Sequence, residues 1–101
     1  MDTYIILRRS GWSDAADLTD AEARSTAEGE RMPDDVRWIR SYVLAEPDGR
    51  VGTMCVYQAA GPEAIRRHGD AAALPVDEIV KVVGTVVVAP DPSTSEAGSR
   101  P

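Results

Sequence analysis

The chain has one cysteine among its 101 residues, which excludes an intrachain disulfide and suits a reducing compartment. It has no apolar run of about 18 residues, the length a membrane-spanning helix needs. Its N-terminus, MDTYIILRRSG, lacks a basic region before the short apolar run and a small-residue cleavage site after it, so no secretory signal is read there. A cytoplasmic protein with no membrane partner is the expectation. Basic residues are scarce as well: 11 Lys and Arg stand against 17 Asp and Glu, for a net charge of −6. The Arg pairs at 8/9 and 66/67 are too short to track a phosphate backbone, so no nucleic acid is expected as a partner. Motifs of well-known chemistry are missing too: there is no GxGxxG, Walker A loop, HExxH, CxxC or G-x-S-x-G elbow.

A hydrophobic content of 43% and a charged content of 28% are those of an ordinary globular domain, and the length allows one modest core. We read residues 1–89 as that domain. Residues 90–101, PDPSTSEAGSRP, have no aliphatic anchor beyond Ala97 and are expected to be a disordered tail. Residues 4–9, YIILRR, form a β-rich run ended by Ser10-Gly11, and Trp12 then falls in a Gly/Ser/Asp stretch read as a loop. A helix is predicted over residues 19–31, opened by a Thr19/Glu22 capping box and stopped by Pro33. The acids between Ser13 and Asp35 read as its solvated face rather than a cation site. Residues 36–58 form a hairpin whose turn is Glu46-Pro47-Asp48-Gly49-Arg50. Gly61-Pro62-Glu63 opens a second helix. Residues 79–88 form a last strand, with Gly84 as a bulge or bend. The order β-α-β-β-α-β is the ferredoxin-like α+β arrangement, a four-stranded antiparallel sheet with two helices on one face.

Strict alternation divides the sheet. Ile5, Leu7, Ile39, Val43, Met54 and Val56 form an aliphatic side, the natural partner of the helices. Tyr4, Arg8, Trp38, Arg40, Tyr42, Cys55 and Tyr57 are then uncovered in a monomer. An exposed patch of that size is rare without a function. A second copy packed face to face would cover it and enclose a ligand cavity, so the expected partner is a second copy of the chain.

Each candidate has two readings. His68, the only histidine, lies on the buried stripe of the second helix, as a satisfied core residue or as a proton shuttle or metal ligand. Cys55 is a small hydrophobe, or a thiolate whose pKa Arg40 or a metal would lower. Arg8 and Arg40 are harder to dismiss: Arg40, between Trp38 and Tyr42, is costly to bury unless it pairs with a carboxylate such as Glu78 or Glu46 or with an anionic ligand that fits the planar fork. Trp38, Tyr42 and Tyr57 pack a dimer core or line its cavity. A triad of Cys55, His68 and Asp70 is rejected, because residues two apart on a helix face different directions.

The segments VRWIRSYV, CVYQA and EAIRRHGDAAALPVDEIVKV, in that order and with short spacers, resemble a family of small dimeric α/β-barrel proteins of unknown function with nickel-binding, nickel-responsive members. The resemblance spans roughly residues 3–84. It implies a ferredoxin-like fold, a dimer across the sheet faces and bound nickel, with Trp38, Arg40, Tyr42, Cys55, Tyr57 and His68 as motif positions. Nickel favours imidazole and thiolate donors. Its donors here would be His68 with Cys55 or a carboxylate such as Asp70.

The leading expectation is therefore a cytoplasmic homodimer that binds a small molecule or a divalent metal, nickel by resemblance. Its pocket comprises Tyr4, Arg8, Trp38, Arg40, Tyr42, Cys55, Tyr57 and His68. The alternatives are a cofactor-free isomerase, cyclase or oxygenase using the cavity between the sheets, by fold analogy alone, and an interaction module with no ligand. In the enzyme, Arg40 would orient an anionic or enol substrate, Tyr42 and Tyr57 would donate hydrogen bonds, and His68 would act as general base.

Overall fold

A computed structural model describes residues 1–92. The elements run β1 (Asp2–Trp12), α1 (Ala15–Arg31), β2 (Val36–Ala45), β3 (Val51–Ala59), α2 (Pro62–Ala71) and β4 (Glu78–Lys81). The strands form one sheet in the order β2-β3-β1-β4, with every neighbouring pair antiparallel. This is the predicted ferredoxin-like arrangement, and the sheet of one chain does not close into a barrel.

The helices lie on the opposite face from the one alternation assigned to them. Tyr4, Ile6 and Arg8 of β1, and Thr53, Cys55 and Tyr57 of β3, are buried, while Ile5, Leu7, Met54 and Val56 are only half-buried. The main core joins Tyr4, Ile6, Cys55 and Tyr57 to Ala64 and Ile65 of α2. The aliphatic character of Ile5, Leu7, Met54 and Val56 suggested the core, but helix-side burial follows shape and hydrogen bonding as well as hydrophobicity. Small residues on the helices (Ala21, Ser25, Ala64) leave room for large amphipathic side chains from the sheet.

A bulge in β2 splits the expected set again. Trp38 pairs with Tyr57, but the next pair is Arg40 with Val56, so Ile39 is the extra residue. Alternation restarts one residue out of step. Trp38, Ser41 and Val43 therefore share the helix side, opposite Tyr57, Cys55 and Thr53, while Arg40 and Tyr42 face the open side with Val56 and Met54. Trp38 and Arg40 do not share a face.

β1 continues past Ser10-Gly11 to Trp12, through an irregularity at Ser10, whose φ is +47°. Trp12 is consequently no loop residue. It is buried against Leu18 and Ala21 of α1, with Val51 and Leu74, as a second small core. The irregularity is held by Glu46. Its carboxylate accepts the Ser10 N–H at 2.7 Å and takes Arg9 Nε and Nη2, each at 2.9 Å. Glu46 thus serves Arg9 and not Arg40, the partner expected for it. The Arg9 hydrogen bond holds the Glu46 carboxyl below its usual range, with the Ser10 N–H adding to the effect and desolvation opposing it. The native state then binds fewer protons than the unfolded chain, so this contribution is complete at neutral pH and is lost as pH falls below about 4. In urea unfolding measured against pH, Glu46→Gln is expected to lower stability at pH 7 and to flatten the acid limb. Equal slopes for the two proteins would remove Glu46 as its source. Gly52 lies against the same carboxylate: a Cβ there would stand 2.7 Å from both Arg8 O and Glu46 Oε2, so the close approach of β3 to β1 needs glycine.

α1 begins four residues before the predicted start. Asp14 is the N-cap and accepts the Asp17 N–H at 2.9 Å, whereas Thr19 bonds back to Ala15 O inside the helix. Leu18, Ala21 and Ser25 are its buried stripe. α2 opens on Pro62 as predicted and buries Ala64, Ile65, His68 and Gly69.

β4 is four residues long and does not reach Val88, because its partner runs out. Tyr4 pairs with Lys81, and the Val82 N–H reaches Thr3 O at 2.8 Å. In that antiparallel register only Asp2 and Met1 remain beyond Thr3, too few to pair a strand that ran to Val88. Residues 83–88 carry no strand and Gly84 no bulge; Val83 is 94% exposed and Val88 93%. The segment then crosses to β2, where Asp91 accepts the Tyr42 hydroxyl at 2.7 Å and pairs with Arg40. The remainder of the predicted tail, residues 93–101, lies outside the described residues.

Candidate functional site

The helix side of the sheet holds a connected set of buried polar groups. β1 supplies Arg8, β3 supplies Thr53, Cys55 and Tyr57, α1 supplies Ser25, and α2 supplies His68. The Ser25 hydroxyl and the Tyr57 hydroxyl are 2.9 Å apart, and His68 Nε2 lies 2.9 Å from Ser25 O. A carbonyl only accepts, so Nε2 is the donor of that bond, which leaves Nδ1 as the ring nitrogen not engaged by it. Trp38 stacks on Tyr57 with ring centroids 6.1 Å apart, and Tyr57 meets the His68 ring at 5.6 Å. Cys55 Sγ contacts Thr53 Oγ1 at 3.4 Å. Burial pushes the Tyr57 hydroxyl up, against the opposing pull of its Ser25 bond, so it stays a neutral donor at physiological pH.

Arg8 is the outlier. It is 1% exposed, and its Nη1 donates to Pro75 O at 2.6 Å. Its Nη2 is buried with no hydrogen-bond partner among the described residues. A pocket of about 30 Å³ opens beside it, between α1 and the sheet. Thr53, Cys55, Tyr57, Ser25 and Leu18, all buried, line it together with the more exposed Trp38 and Val43, which mark its mouth. A wider groove of about 420 Å³ runs past the C-terminal half of α1, with His68 and Tyr57 among its walls.

The structure therefore gathers Arg8, Trp38, Cys55, Tyr57 and His68 on one side, with Tyr4 in the adjoining core. Arg40 and Tyr42 lie on the other side, with Asp91. That division separates the groups of the enzyme reading: Arg40 and Tyr42 cannot meet a substrate that also touches Tyr57 and His68 of the same chain. Asp70 is exposed while His68, two residues earlier, is buried. Among the described residues no three His, Cys, Asp or Glu side chains stand close enough to hold a metal ion.

Sequence reading missed Ser25 and Thr53. Ser25 could have been found: it follows Leu18 by seven and Ala21 by four, which puts a hydroxyl on the buried stripe, where it needs a partner.

The fold and the paired sheet-and-helix layers define a ferredoxin-like α+β protein. A family described as nickel responsive protein SCO4226-like matches residues 4–82, and the chain belongs to it. The crystal structure of SCO4226 from Streptomyces coelicolor A3(2) superposes with a TM-score of 0.67 at 18% identity, over 83% of this chain and 99% of that one. At that identity the likeness is one of fold. No curated protein matches the chain.

Proposed function

We propose that this chain is a homodimeric binding protein: two copies pair through the open faces of their sheets, and each keeps a small-ligand pocket behind its own sheet, under α1. The observation that carries this reading is the division of the sheet. One face is closed by helices over a polar cluster with an unsatisfied cation, and the other presents Ile5, Leu7, Met54 and Val56 without helix cover. The open face is the same in every copy, so a two-fold axis matches it to itself. Residues 82–91 pass over that face and leave a space of about 630 Å³ beneath them, bounded by Ile5, Val56, Arg40 and Tyr42, into which a second copy would pack.

The family description supports nickel as the metal to which the protein responds. The proposed protein donors are His68, Cys55 and Asp70, and one chain does not present them as a formed site. Nε2 of His68 is committed to Ser25 O, Cys55 is buried against Thr53, and Asp70 points to solvent. Pairing through the open faces would not bring two His68 rings together either, since each lies behind its own sheet. Nickel would therefore meet His68 through its other ring nitrogen, and Cys55 or Asp70 would join it only after moving from the positions they hold here. Calorimetric titration with Ni²⁺, Zn²⁺ and Cu²⁺ tests this. His68→Ala is expected to weaken nickel binding by at least about tenfold, since losing even an outer-shell partner of a metal ligand costs that much; undiminished affinity would remove His68 from the donor set.

A further inference from the structure

We propose that the pocket beneath α1 binds a small oxyanion, a carboxylate head group or an inorganic oxyanion of similar size, gripped by the guanidinium of Arg8. This names the ligand class of the site described above. It rests on reading that pocket as a ligand site, and on neither the dimer nor nickel.

Arginine keeps its proton in proteins, so Arg8 is a cation at 1% exposure. Burying such a charge without a counter-ion is among the most expensive arrangements a core can hold. Its Nη1 donates to Pro75 O, and the side chain it bears on is the Tyr57 hydroxyl, both neutral groups. Glu46 is taken up by Arg9 and Ser10. Nη2 is left with no partner among the described residues, and Arg8 is one of the residues that line the pocket. A planar guanidinium with a free edge matches a carboxylate or another planar oxyanion better than any neutral group.

The surroundings agree. Thr53, Tyr57 and Ser25 line the pocket; the Ser25 and Tyr57 hydroxyls share one bond and Thr53 takes Cys55, so each keeps capacity to turn toward an anion's remaining lone pairs. The volume of about 30 Å³ is roughly twice the 10–15 Å³ that one water needs, room for the two oxygens of a head group and no more. A short hydrocarbon substituent would lie between Trp38 and Val43, the more exposed of the apolar lining residues. The same cation disfavours Ni²⁺ at this spot. Glu22 also borders the pocket, but its side chain is exposed at the rim. If it were the counter-ion, Glu22→Gln would destabilise the ligand-free protein; the proposal expects its Tm to be unchanged.

The test is titration of the full chain with propionate, nitrate and inorganic phosphate at constant ionic strength, with neutral propionamide as the control. Binding is read from Trp indole resonances by NMR. Saturable binding of at least one oxyanion is expected, with propionamide about tenfold weaker or more. The propionate and inorganic arms distinguish an organic acid from a free inorganic ion. Arg8→Lys, which keeps the charge and loses the fork, should weaken binding by about tenfold. Val43→Trp, at an exposed position in the mouth, should block entry without disturbing the core, which covers the case in which Arg8→Lys fails to fold. Propionamide binding as well as propionate would overturn the anion assignment and leave a ligand pocket. No saturable binding of any probe, or wild-type affinity in Val43→Trp, would overturn the pocket itself. Loss of Tm in Glu22→Gln would make Glu22 the native counter-ion and end the proposal.

Discussion

Ile6→Ala is expected to lower the stability of the protein by about 2–5 kcal/mol, the range for truncating a fully buried isoleucine. Ile6 is 0% exposed and sits mid-sheet between Cys55 and Ile79, under α2. Removing its side chain leaves a cavity bounded by two strands and a helix, which cannot close without moving all three. A natural domain has only about 5–15 kcal/mol in total, so the loss is a large share of it. Ile5→Ala is the control. Its side chain points to the open face, and in dilute solution its truncation should cost less than about 1.5 kcal/mol, nearer to a surface change than to a core cavity. Urea unfolding of both variants decides which face the helices cover, and equal losses would contradict the assignment.

Val56→Lys should dissociate the dimer while leaving the chain folded. Val56 lies on the open face, where its backbone pairs with Ile5 on one side and Arg40 on the other. Those ladder bonds do not depend on the side chain, and in a monomer the ammonium can reach water along its flexible stem. In a paired interface it would be desolvated beside the apolar groups of the second copy, and the carboxylate on this face, Asp91, is already paired with Arg40. A weakening of about a hundredfold, near 3 kcal/mol, is a modest expectation for such a charge. Light scattering across a dilution series would show it, with circular dichroism as the check on folding. A variant as dimeric as the wild type would place the interface elsewhere.

Element order was legible in the sequence because its signals are local. Pro62 marked the start of α2, Asp48-Gly49 the turn, and β-branched runs the strands. The face to which each strand turned was not. In β2 the reason is one residue: Ile39 is extra, shifts alternation by one and is no glycine that would advertise it, whereas the irregularity at Ser10 adds two residues between Arg8 and Trp12 and leaves both on the helix side. Hydrophobicity then misled in a definite way. Ile5, Leu7, Met54 and Val56 look like core, but the core was given to Tyr4, Arg8, Cys55 and Tyr57; Arg8 finds Pro75 O, Tyr57 finds the Ser25 hydroxyl, and Ser25 O in turn takes His68. Such pairings join residues 32, 43 and 67 positions apart, and no periodicity reports them. The membership of the candidate site was thus read largely from residue type, and its partition between two faces only from the fold.

The open face remains the point on which the homodimer turns, and sedimentation equilibrium of the unmodified chain at micromolar concentration measures it most directly. The account predicts a species of twice the chain mass of 10.8 kDa. A single species at the chain mass throughout that range would contradict it.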